Sequence, residues 1–231
     1  MNTSTHSIDF KTITTQERYK ILAGSVVPRP IALVTSINNK GELNAAPFSF
    51  FNALSANPPL VGFGIQRMPD GQLKDTYKNI IENQEFTVNI VSDALVEAMN
   101  ICAIQFESNV DEASMAGLSA IPGTLINTPR IKESMISLEC KLFSNISTSE
   151  YGDLLLGEVV MAHINESIID TNNLYIDQIG LDAVGRMGGQ GYVRTREYFD
   201  LKAIKKEEFD SINQLRIWGK SPKTKNSYSA K

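Results

Sequence analysis

Histidine and cysteine are the scarcest sources of chemistry in this chain. Among 231 residues there are two of each, His6 and His163, Cys102 and Cys140, beside a single tryptophan, Trp218. Two distant thiols without a secretion-type N-terminus argue against a disulfide framework. No Cys/His pair stands at the short spacing that a zinc site needs. A Ser-His-Asp triad would depend on His163, whose run Val159-Val160-Met161-Ala162-His163-Ile164 reads as a strand with no partner in view. Cations are not in excess either: the net charge is -4 and the pI near 5.3, against a nucleic-acid protein, which needs clustered Lys and Arg. No apolar run approaches the roughly 18 residues that span a bilayer. The polar start Met1-Asn2-Thr3-Ser4-Thr5-His6 has neither a basic nor an apolar signal region, so a cytoplasmic protein is expected and the sequons at Asn2, Asn145 and Asn165 read as chance matches.

What is present is ordinary globular material, 42% hydrophobic and 21% charged, with no repeat of 20 to 50 residues. Strand signals dominate. The β-branched run Ile31 to Ile37 ends at the turn sequence Asn38-Asn39-Lys40-Gly41, and Glu42 to Phe51 returns as a hairpin arm. After the break at Asn57-Pro58-Pro59 come Leu60 to Ile65 and then Phe86 to Val91. Ser137 to Leu142 alternates strictly, as a strand with one wet face does, and Tyr151-Gly152-Asp153 turns the chain into Leu154 to Ile164. Helical spacing recurs from Leu73 through Tyr77, Ile80 and Ile81. It recurs again from Leu95 through Ala98, Met99, Cys102 and Ala103, with Asp93 as the expected N-cap. Both cysteines fall on apolar phases and read as core groups. A further helix is expected over Lys205 to Trp218, followed by a flexible polar tail, residues 219–231. Six or so antiparallel strands with few helices describe a β-barrel or sandwich with helical insertions.

Two glycine signals fail as nucleotide motifs. Gly219-Lys220-Ser221 copies the end of a phosphate-binding loop, but the glycine required five residues earlier is Gln214. Gly185 to Gly191 does not fit G-x-G-x-x-G and lacks a strand-then-helix setting. Two other stretches carry more. Asn44 to Asn52 puts small residues in a strand, where a flat ligand can lie against the backbone. Arg67 to Thr76 leads into a helix and supplies two cations, a hydroxyl and a helix N-terminus, all suited to a phosphate dianion; a capped helix with surface charges is the plainer alternative. Together they suit a ligand with a flat polar ring and a phosphate, such as flavin mononucleotide (FMN).

The ordered series Val27-Pro28-Arg29-Pro30-Ile31-Ala32-Leu33-Val34-Thr35-Ser36, Gly41, Asn44 to Phe51, Pro58-Pro59-Leu60, Lys74-Asp75-Thr76 and Phe86-Thr87-Val88-Asn89 resembles the flavin reductase-like, FMN-binding split-barrel family, and more closely its longer branch, which includes flavoredoxin. The resemblance runs from about Ala23 to Leu201, with residues 1–22 as an extension and 23–218 as the expected domain. It implies a mainly β fold, a six-stranded antiparallel Greek-key split barrel with helical insertions, working as a homodimer with FMN near the subunit interface. It implies that Thr35, Ser36, Ala46, Pro47, Phe48 and Ser49 hold the isoalloxazine edge, largely through backbone groups, with help from the Asn52 side chain. It further implies that Arg67, Lys74 and Thr76 take the phosphate, with Arg29 a weaker candidate beside its reading as a salt-bridged arginine. Gly188 to Arg194 matches the family's late glycine-rich segment, where Tyr192 reads as a core residue rather than a flavin contact. In the short flavin reductases a histidine follows Gly-Asp; here Leu154 stands in its place, which weakens the case for NADH or NADPH binding but not for FMN.

The expected activity is hydride transfer from NAD(P)H to FMN, with the chemistry carried by the flavin and no protein acid or base required. The alternative is an FMN-binding electron carrier or flavin store reduced by a protein partner.

Overall fold

Alternating β-branched and small residues form the strands, and a computed structural model shows how they pair. It describes residues 4–209 apart from Pro69, Asn109 and Glu207, so the tail over 219–231 and most of the helix expected from Lys205 lie outside the described residues. Seven strands make the main sheet: β1 (Ala32–Ile37), β2 (Leu43–Phe48), β3 (Phe51–Ala56), β4 (Pro59–Gln66), β5 (Glu85–Ile90), β6 (Ile136–Ser149) and β7 (Gly152–Ile164). Their order is β2-β1-β5-β6-β7-β4-β3, antiparallel at every step. The two outermost strands are consecutive in the chain, so the short link Ser49-Phe50 joins the ends of the sheet. The Gly64 amide donates to the Phe50 carbonyl at 2.8 Å, and the sheet curls into a barrel split at that link. This link also divides the arm expected over Glu42 to Phe51: the chain bends there and starts a separate strand.

The barrel interior is apolar. Val34, Phe48, Phe63, Phe86, Val88 and Leu155 form its center, with Ile80 entering from a helix. The rings of Phe48 and Phe63 are 4.7 Å apart and Phe63 meets Phe86 edge-on at 5.6 Å. Because side chains alternate along a strand, Leu33 and Ala45 face the other way, into a second core with Leu95, Met99 and Cys102. The turn at residues 38–41 is as expected: Asn38 Oδ1 accepts from the amides of Lys40 and Glu42, and Gly41 takes φ 78°.

Three helices matter for the site and its surroundings. The first, α1 (Thr15–Ser25), opens with a reciprocal cap between Thr14 and Glu17, and α2 (Asp75–Asn83) covers one mouth of the barrel. The third, α3 (Val96–Ile101), is shorter than the spacing suggests and starts later. Asp93 is not its N-cap; it lies in a preceding 3-10 turn and accepts from Arg194 Nε at 2.8 Å.

The face expected to be wet over 137–142 is exposed only at Lys141. Ser137 and Glu139 are fully buried, because the segment 123–131 lies over them and its amides need acceptors. Glu139 accepts from the amides of Thr124 and Leu125, and Asn89 accepts from the amide of Ile131 and the hydroxyl of Ser137. The expected turn also moves. β6 runs on to Ser149, so Gly152 and Asp153 already belong to β7, where Asp153 pairs with Ser147 and Ile65.

The chain divides into a compact unit over Met1–Arg194 and a second over Thr195–Lys231; within the second, Lys202 pairs with Glu208 at 3.0 Å. No helix among the described residues is long and apolar enough to cross a membrane.

Candidate functional site

The stretch from Arg67 to Thr76 gathers positive charge at one end of α2. Lys74 is the N-cap residue, with extended backbone and no side-chain cap bond, so the first-turn amides keep their donor capacity. Burial lowers the Lys74 pKa from its ordinary value, since a desolvated ammonium is costly. Its Nζ stands 5.7 Å from the center of the Phe48 ring and, among the described residues, makes no ion pair. Arg67 follows β4 and its backbone amide donates to the Tyr151 carbonyl at 2.9 Å. Its Nε is buried without a partner. Arg67 and Lys74 line one small depression together with Ile65, Gln66, Leu73, Tyr77 and Asp153. Among the described residues neither cation has a carboxylate partner and one carries an orphaned buried N–H, an arrangement that could hold an anion.

The stretch Asn44 to Asn52 reaches the same end of the barrel. Asn44 donates from Nδ2 to Thr76 Oγ1 at 2.9 Å, joining β2 to the first turn of α2. Ala46 and Pro47 are half-buried, Phe48 is buried against Phe63, and Ser49 is half-buried at the bend. The Ala45 amide, on the edge away from β1, donates to Glu112 at 2.9 Å, and burial raises the Glu112 pKa. Alternation puts the missing N–H of Pro47 on that same unpaired edge, where proline disrupts no ladder. Asn52 is exposed, and its side-chain oxygen accepts from the next amide, Ala53.

Two candidates stand behind this surface rather than on it. Thr35 is fully buried and donates to the Pro129 carbonyl at 2.6 Å. Ser36 is equally buried and accepts from Asn79 of α2 at 3.2 Å. Thr76 is 1% exposed, its hydroxyl already accepting from Asn44. Thus the structure brings together Lys74 and Phe48, Thr76 and Asn44, and Arg67 with Lys74.

A sequence profile of the family described as flavin reductase like domain matches residues 23–182. The chain belongs to the flavin reductase-like family. It is 38% identical to nitrilotriacetate monooxygenase component B from Bacillus cereus, with a TM-score of 0.82 over 87% of this chain and 100% of that one. It is 37% identical to 2-nitrobenzoate 2-nitroreductase from Pseudomonas fluorescens, with a TM-score of 0.80 over 87% and 98%. The flavoredoxin of Desulfovibrio vulgaris (Miyazaki F) shares the fold at 23% identity, with a TM-score of 0.68 over 79% and 94%.

Other family positions resolve differently from the sequence reading. Among the described residues Arg29 forms no salt bridge, and it does not line the cation-rich depression. Its guanidinium donates to the carbonyls of Ala23, Val26 and Met187 and lies 5.7 Å from the Phe50 ring, so it ties α1 to the late glycine-rich segment. That segment comes close to α1 because a Cβ on Gly188 would sit 3.1 Å from Gly24 Cα. Tyr192 is not in the core; it is 40% exposed, with the Arg186 guanidinium 4.4 Å over its ring. His163 has the partner that its lone position in the sequence concealed: its Nε2 lies 2.6 Å from Glu139 Oε1. Sequence reasoning passed over Asp153 as a turn residue, although it is buried at the depression. The available signal was an acidic residue in the inward phase of Asp153, Leu155 and Gly157.

Proposed function

We propose that the chain binds FMN and works as an NAD(P)H-dependent flavin oxidoreductase, with the paired and unpartnered Arg67 and Lys74 as the observation that carries the reading. These cations and the first-turn amides of α2 hold the phosphate, while Thr76, fixed by Asn44, orients that turn. The backbone of Ala46, Pro47, Phe48 and Ser49, with Asn52, meets the ring edge; Thr35 and Ser36 brace β1 and α2 from behind. The Phe48-Phe63 wall keeps water from one side of the site. Bound FMN supplies hydride acceptance at N5 and onward electron transfer. Likeness to a monooxygenase component and to a nitroreductase supports oxidoreductase work, and the former supports delivery of electrons to a partner protein. A homodimer in the cytoplasm belongs to the same proposal: Tyr19, Leu22, Val26 and Phe50 leave apolar surface exposed, with Tyr19 stacked on Phe50 at 5.9 Å.

The second reading, an FMN electron carrier, is favored by Leu154 in place of the histidine of the short reductases. Anaerobic addition of NADH or NADPH to the FMN-loaded protein separates the two. Rapid bleaching of the flavin absorbance means a reductase, and a persistent spectrum means a carrier. Replacing both Arg67 and Lys74 with Ala is expected to weaken FMN binding, each lost contact costing about 1.5–3 kcal/mol. Unchanged affinity in a flavin fluorescence titration rejects the phosphate assignment.

A further inference from the structure

Anchoring a phosphate asks only for positive charge, yet Lys74 has the surroundings of a nucleophile. The residue is half-buried at the start of α2, its Nζ 5.7 Å from the center of the Phe48 ring. Among the described residues it forms no ion pair. Burial lowers its pKa from the ordinary value, and an amine attacks carbon only as the neutral base. Lys78, one turn along the same helix, has the opposite setting: its Nζ is paired with Asp75 at 3.0 Å and its side chain is 46% exposed. Arg67 lines the same depression as Lys74, and its Nε is buried without a partner. One carboxylate, Asp153, stands in the wall against these two cations. A guanidinium keeps its charge where a desolvated amine sheds its proton more readily, so one can hold an anion while the other reacts.

We propose that Lys74 is a site of acylation by small acyl phosphates, with Arg67 docking the phosphate and so delivering the acyl carbon to Nζ. The lone pair of the neutral amine adds to the acyl carbonyl carbon. The bond from that carbon to the bridging oxygen breaks, and phosphate leaves with the electron pair. The amine proton passes to the released phosphate, leaving an amide on Lys74 with no change in oxidation state. The acylated side chain carries no charge, so the depression keeps one of its two cations. The consequence for function rests on the FMN reading: the acylated chain holds FMN less tightly, and acyl phosphate acts as a brake on cofactor loading.

Mass spectrometry of the full chain after incubation with acetyl phosphate reads the modification lysine by lysine. The acetyl ester of N-hydroxysuccinimide, which carries no phosphate, is the reference reagent. The ratio of acetylation rates at Lys74 and Lys78 should be about 10-fold higher with acetyl phosphate than with the ester, because docking raises the local concentration of the reacting carbon. Excess inorganic phosphate should abolish that difference, and Arg67→Ala should remove it in the same way. If Arg67→Ala shows no cooperative melt, Arg67→Gln is read by the same criteria. Equal ratios for the two reagents, or a difference that survives both inorganic phosphate and the loss of Arg67, overturn the inference. Added FMN separates the two levels. Protection of Lys74 by FMN, with weaker FMN binding by the acetylated chain, supports both. Phosphate-dependent acetylation of Lys74 that FMN neither slows nor is weakened by spares the modification site and overturns the FMN placement. FMN binding that needs Arg67 and Lys74, without any excess acetylation at Lys74, does the reverse.

Discussion

Glu139 shows how one buried side chain holds a loop that sequence patterning leaves unplaced. Its carboxylate meets His163 Nε2 at 2.6 Å and the amides of Thr124 and Leu125 at 2.6 and 2.7 Å. Burial works to raise its pKa, but His163 and the two amides outweigh burial and hold it below the ordinary 4.5. A carboxylate depressed in the folded state stabilizes the fold above its unfolded pKa, and that contribution is lost as pH falls through the lower folded value. Thermal melts from pH 7 down to 3 should therefore show a steeper loss below about pH 4.5 in the unmodified protein than in Glu139→Gln. At neutral pH the variant should be less stable by about 1–3 kcal/mol, because an amide cannot serve as acceptor to all three donors. Superimposable pH profiles remove Glu139 from this role. The cysteines make a second residue-scale prediction. Burial, aided by Glu112 and Asp111, pushes the Cys102 thiol up to about 12, and burial raises Cys140 further. Neither should react with a thiol reagent at pH 8 until the chain is unfolded; rapid labeling of the native protein contradicts this.

At the scale of elements, β7 is constrained by its closest neighbor. A Cβ on Gly157 would overlap the Phe86 ring and come within 3.0 Å of Cys140 Cβ, beside a register shift between Leu156 and Gly157. Gly157→Ala should destabilize by about 1–3 kcal/mol through overpacking in a core that cannot yield. Gly41→Ala, in a turn open to solvent, should cost only about 1 kcal/mol, from its positive φ. Urea melts compare the two, and equal losses reject the packing argument. The helix α2 was legible because Tyr77, Ile80 and Ile81 recur at its spacing. The strand β3 was not, since nothing local in Phe51–Ala56 separates it from the preceding arm; the bend at Ser49-Phe50 exists because β3 must reach β4.

For the whole molecule, FMN binding should appear as stability. A ligand that binds only the folded chain adds about 2.7 kcal/mol at a hundredfold its Kd. Differential scanning fluorimetry should thus show FMN raising the Tm of the unmodified protein, with the rise lost when Arg67 and Lys74 are both replaced by Ala. An equal rise in both proteins shows that these cations do not hold the ligand. The sequence by itself determined the antiparallel β character, the turn at residues 38–41, the buried cysteines and the family, because each is written in short-range alternation, turn chemistry or an ordered motif series. It also singled out Arg67 and Lys74, which the structure brings to one depression before α2. Only the tertiary structure decided which polar residues are partnered. Thr35 and Ser36 sit behind the site, Arg29 binds carbonyls, His163 meets Glu139, and Asp153 lines the same depression as the two cations. Those outcomes depend on which strands lie side by side, and pairing between residues far apart in sequence leaves no trace in the local pattern of either one.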